Sequence, residues 1–142
     1  MKIKIITISI VLMAFTSAKS QQNRIFGKWA NEDSTQVVQF YKEGDHYNAK
    51  LIYFDDENAD ILLDTENDDE NLKKRRVLNA TVWTGFEYQA DKDMWKYGEI
   101  YNYKNGNTYT GKIRIEGDEL RLTGYYGFFF FLAKTQKWYK QH

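Results

Sequence analysis

The densest group of chemically capable side chains is the run Asp64-Thr65-Glu66-Asn67-Asp68-Asp69-Glu70, followed by Lys73-Lys74-Arg75-Arg76. Oxygen donors at alternating positions suit a hard cation such as calcium. The glycine that turns an EF-hand loop is missing, however, and no amphipathic helices flank the run. Its carboxylates read instead as solvated or paired with the basic residues that follow, and no metal or other cofactor is assigned. Two readings of Arg75 stay open. A guanidinium beside several carboxylates can grip an anion in bidentate fashion, or it can tie its own segment together. Asp64, Asn67, Asp69 and Arg75 are one set of candidate ligand-binding residues.

Other reaction chemistry is thinly supplied. Ser34 is the only serine after residue 20, and it sits in a polar turn without the glycines of a nucleophile elbow. The two histidines are His46, on a predicted strand, and His142, the last residue. Glu87 and Glu99 fall on neighbouring predicted strands, where a carboxylate pair acting on envelope glycans would require them to converge. Phosphate-loop, zinc and dinucleotide signatures are absent. The aromatic residues are the remaining signal. Trp83, Trp95, Tyr97, Tyr101, Tyr103, Tyr109 and Tyr125 all fall on predicted strands, and those facing inward would line a pocket or fill a core. Of these, Trp83, Tyr97, Tyr101, Tyr109 and Tyr125, with Glu99, complete the set of candidate ligand contacts.

The elements that must position these side chains are strands. Period-two alternation marks segments at 27–31, 37–42, 46–54, 80–88, 94–103, 108–116, 119–126 and 128–139. Asn105-Gly106 is the strongest hairpin signal, because both residues tolerate the positive φ of tight turns. About eight strands joined by short turns predict an all-β fold, a small closed or nearly closed antiparallel barrel. Trp29 near the start and Trp138 near the end predict that the first and last strands lie side by side. Trp29 is expected to plug one barrel end, with Lys134, Lys140 or Arg121 over its ring. Residues 55–79 break the meander. Nine acidic side chains fall between Asp55 and Glu70. That length predicts a structured excursion with a helical turn near 71–78, pinned to the barrel by Ile61, Leu62 and Leu63. The faces of 94–103 cannot be assigned, since both parities carry aromatic or apolar residues.

Residues 1–20 read as an export signal. Lys2 and Lys4 precede an apolar run from Ile5 to Phe15, too short to span a bilayer, and Ala18-Lys19-Ser20 offers a cleavage site before Gln21. The expected mature domain is 21–142, exported to the periplasm or beyond, with no membrane span. Losing Lys2, Lys4 and Lys19 takes the balance of 20 basic and 20 acidic residues to 17 against 20, a net −3. Such a chain has no electrostatic footprint for nucleic acid or an anionic membrane. There is no cysteine, so packing alone must hold the domain, and an aromatic content of 17% supplies the apolar area for it.

Four blocks in order carry a family resemblance. They are Gly27-Lys28-Trp29; Asp64, Asn67, Asp69, Leu72 and Arg75; Trp95, Gly98, Ile100, Tyr101, Gly106 and Tyr109; and Leu120, Leu122, Gly124, Tyr125, Gly127, Thr135, Gln136 and Trp138. Over about 25–140 the chain resembles an exported bacterial family known as domain of unknown function 2147. It departs from that pattern at Lys73 and Lys134, where the family tends to have arginine, and at Asn102, where it tends to have aspartate. The resemblance implies a lipocalin-like barrel without an established activity. The resulting expectation is a barrel that binds a small, partly apolar molecule. The alternatives are an envelope interaction module with a filled barrel, for which the aromatic run 128–131 would be the partner surface, and a carboxylate-dependent hydrolase.

Overall fold

A computed structural model of the protein describes residues 21–126 and 133–142. The leader, the aromatic run at 128–131 and the start of the predicted last strand lie outside them. Among the described residues eight strands form one closed antiparallel barrel: β1 (Gly27–Asn31), β2 (Gln36–Glu43), β3 (His46–Phe54), β4 (Thr81–Gln89), β5 (Met94–Asn102), β6 (Asn107–Glu116), β7 (Glu119–Tyr125) and β8 (Lys134–Gln141). Each strand pairs with its neighbours in sequence, and β1 closes on β8 with Trp29 opposite Lys140. Closure leaves no free sheet edge. The alternation seen in the sequence is the barrel wall: Gly111, Ile113 and Ile115 are buried, while Thr110, Arg114 and Glu116 between and beside them face water.

One end is sealed. The 3₁₀ turn Asn23–Ile25 lies across it, and the Trp29 indole N–H donates to the Ile25 carbonyl at 2.8 Å. Lys140 places its ammonium 5.2 Å from the Trp29 ring centroid and donates to the Arg24 carbonyl. Of the three basic residues expected over this ring, Lys140 is the one found there. Arg24 lies over the Trp95 ring, bonds the Ile115 carbonyl and pairs with Asp93.

Two irregularities reset the inward faces. Gly85, at φ +73°, accompanies a register shift between β3 and β4, and the side-chain Oδ1 of the buried Asn48 accepts its N–H at 2.8 Å. The inward face of β4 thereby passes from Trp83 to Phe86. Tyr97, at φ +63°, sits in a second shift between β5 and β6. Trp95 is inward before it, and Gly98 and Ile100 are inward after it. The mixed parity of 94–103 is this bulge. Gly98 and Gly111 face each other across β5 and β6; a Cβ on Gly98 would overlap the Phe86 ring, and one on Gly111 would overlap Ile100.

The excursion is ordered. Leu63 and Arg76 form a short antiparallel bridge, extended by Asp64 N–H to the Arg75 carbonyl and Val77 N–H to the Leu62 carbonyl. Period-two alternation across this ribbon corrects the expected anchors. Leu62 turns inward with the buried Val77, whereas Ile61 and Leu63 are exposed. The expected helical turn is a single 3₁₀ turn, Leu72–Lys74, after which the chain runs extended into the bridge.

Candidate functional site

The end opposite the seal holds a cavity of about 860 Å³. Its floor is apolar: Val38, Leu51, Trp83, Ile100, Leu122 and Trp138. Trp83 and Trp138 meet edge to face there, with ring centroids 4.9 Å apart. Its rim is polar, with Gln36, Tyr101, Tyr103, Lys104, Tyr109 and Lys134 beside the β1–β2 turn. The barrel is therefore unfilled at this end. An apolar floor below a few polar groups is the usual make-up of a small-molecule pocket.

Behind one wall of the cavity stands a buried carboxylate. Asp64 is 1% exposed. Its Oδ1 accepts the Tyr101 hydroxyl at 2.6 Å, and its Oδ2 accepts the Arg75 Nε–H and the Asn67 amide, each at 2.9 Å. Arg75 also lies over the Tyr101 ring, 5.7 Å from its centroid. Burial, reinforced by the bond to Asp64 and its charge, pushes the Tyr101 phenol up to about 12. Arg75 thus ties its own segment together, with its Nε–H spent on Asp64 rather than on an outside anion. The excursion also locks onto the β5–β6 hairpin, because a Cβ on Gly106, at φ +74°, would overlap the Glu66 carbonyl.

The ten candidate residues divide three ways. Trp83, Tyr101 and Tyr109 line the cavity. Asp64, Asn67 and Arg75 form the network that fixes Tyr101 from behind. The remaining four lie elsewhere. Asp69 is exposed and accepts the Asn71 N–H in a local turn. Tyr97 is 65% exposed on its bulge. Glu99 is exposed, opposite Thr84 and Thr110. Tyr125 lies under the Lys112 ammonium, outside the cavity lining. Glu87 takes part in a hydrogen bond with His46 at 3.2 Å, in a shallow polar recess of about 400 Å³ at the sealed end, so it does not converge with Glu99. The acidic run likewise disperses: Asp64 turns inward and Glu70 pairs with Lys73. Among the described residues no three histidine or acidic side chains converge.

Tyr103, one of the strand aromatics expected to line or fill the interior, lines the cavity, and so do three residues outside the candidate set, Lys134, Gln136 and Trp138. The alternation of β8, which sets Lys134 and Gln136 on the face of Trp138, was the signal that could have found the last three.

A closed up-and-down barrel of eight strands, sealed at one end and hollow at the other, has lipocalin-like architecture. The chain belongs to the bacterial family described as uncharacterized protein conserved in bacteria (DUF2147), which it matches over residues 27–140. Among solved structures it is similar to a protein from the human pathogen Helicobacter pylori, HP1028, described as belonging to the lipocalin family. The TM-score is 0.72 at 20% identity, covering 83% of each chain. At that identity the likeness is one of fold. No curated protein matches the chain in sequence.

Proposed function

We propose that the protein is an exported lipocalin-like binder of a small, partly apolar molecule held inside the barrel. The observation that carries this reading is the cavity of about 860 Å³ with its apolar floor and polar rim. A volume of that order suits a molecule of drug-like size. The floor supplies the hydrophobic driving force, and the rim tyrosines supply orientation. Export is supported by the charged, apolar and small-residue order of residues 1–20. Among the described residues no helix is long and apolar enough to cross a membrane.

Native mass spectrometry of protein purified from the periplasm of its own cells tests both parts. The expected spectrum shows a chain beginning at Gln21 that carries one small molecule, lost on collisional activation. Trp83 and Trp138 line the cavity, so the released compound should change tryptophan fluorescence when added back. A chain that carries nothing, and whose fluorescence ignores a panel of apolar probes, would overturn the binding reading. A chain that retains residues 1–20 would overturn the export reading alone.

A further inference from the structure

The lysines at the rim differ in what holds them. Lys104 lies near Asp33, whose carboxyl is kept below its usual value first by the Thr35 hydroxyl and, to a smaller degree, by Lys104. Thr35 donates that hydroxyl to Asp33 at 2.7 Å. Lys137 stands opposite Arg121 on β7, and its charge acts on Glu119, which Arg121 holds at 2.6 Å. The Lys134 side chain has no hydrogen bond, ion pair or ring contact among the described residues. The ladder between β7 and β8 sets Lys134 opposite Gly124, Gln136 opposite Leu122 and Trp138 opposite Leu120. Lys134 therefore shares the inward face of β8 with the buried Trp138, and its partner across the ladder is a glycine with no side chain to cover it.

Among the lysines of the cavity lining, Lys104 acts on Asp33 and Lys137 on Glu119, which leaves Lys134 as the one whose charge no carboxylate of the described residues takes up. An ammonium on a flexible stem above an apolar floor is the arrangement that holds an anionic head while the tail is buried.

We propose that the cavity takes an anionic amphiphile, its tail on the floor around Trp83 and Trp138 and its carboxylate- or phosphate-type head on the Lys134 ammonium. This names the ligand class of the site assigned above and rests on that reading.

Three probes that share a ten-carbon tail and differ in head test it: decanoic acid, 1-decanol and decylamine. Each is titrated into the full mature chain and followed by tryptophan fluorescence. The expected result is decanoate binding about fivefold more tightly than decanol, the size of a favourable exposed ion pair, with decylamine weakest. Lys134→Met keeps the stem and removes the charge. It should erase the preference for acid over alcohol, whereas Lys112→Met, on the outer wall, should keep it. Added salt should weaken decanoate and leave decanol largely unchanged. Equal affinity for acid and alcohol, or a preference that persists in Lys134→Met, overturns the head-group assignment and leaves the pocket standing. If none of the three probes binds, the binding reading fails and the head-group assignment fails with it.

Discussion

At the scale of single residues, the Asp64 carboxylate is held from three sides. It is removed from water and compensated by one cation and two neutral donors. Removing one partner leaves a buried charge short of compensation, which costs more than the intact pair contributes. Arg75→Leu is therefore expected to lower stability by about 3 kcal/mol, and Tyr101→Phe, which deletes one hydrogen bond to a charged group, by about 1.5 kcal/mol. Urea unfolding of both variants measures this; equal, small losses would mean that the network is solvated. Two half-buried phenols, Tyr101 of this network and Tyr88, which donates to Asp93 at the sealed end, make a pH prediction. Burial first, then the bonds to Asp64 and Asp93, push the Tyr101 and Tyr88 phenols up to about 12, against about 10 for an unfolded tyrosine. A raised phenol pKa favours the folded state while the phenol stays protonated. That contribution is complete below the unfolded value and is lost as pH climbs from about 10 to 12. Thermal stability should fall across that window, and Tyr101→Phe should flatten the fall.

At the scale of elements, the strands were legible because a half-buried sheet imposes period two on its sequence. β1 and β3 match their expected bounds, 27–31 and 46–54. The faces of β5 were not legible, because the residue that switches them is Tyr97 in the left-handed region, and a tyrosine gives no warning of positive φ. Gly85 on β4 is the readable counterpart, since a glycine inside a strand often marks a bulge. The cavity was not legible either. Residues that line a hollow alternate just as residues that fill one do, and the difference lies in summed side-chain volume. Three-dimensional crowding likewise explains the glycine pair. Phe86 lies across β5 and fills the space a side chain on Gly98 would need. Gly98→Ala is expected to cost about 2 kcal/mol through overpacking. Combining it with Phe86→Leu should cost less than the sum of the two single changes, because the clash is shared. Additive losses in a denaturation cycle would show that the ring is free to move aside.

At the scale of the whole molecule, the two barrel ends divide the labour. The sealed end joins the β1–β8 ladder to the Asn23–Ile25 turn through Trp29 and Lys140. The open end carries the cavity, the excursion and the β5–β6 hairpin that the excursion locks onto. Pairing of Lys28 with Gln141 brings Gln21 and His142 to the same end, so a short linker can join them and the chain can be opened elsewhere. Opening it at Gly44 cuts an exposed turn, where a Cβ would meet nothing within 4 Å. Opening it at Gly106 cuts the turn packed against Glu66 and frees the hairpin whose strand carries Tyr101 to Asp64. Cuts are tolerated where little of the fold depends on the severed backbone. The Gly44 permutant should therefore fold, keep the tryptophan response of the cavity and melt within about 10 °C of the parent, a few kcal/mol for a domain of this size. The Gly106 permutant should melt well below it and lose that response. Equal melting temperatures would show that the excursion rests on the barrel without bracing it, and Asp64 would then have no hold on the shape of the cavity.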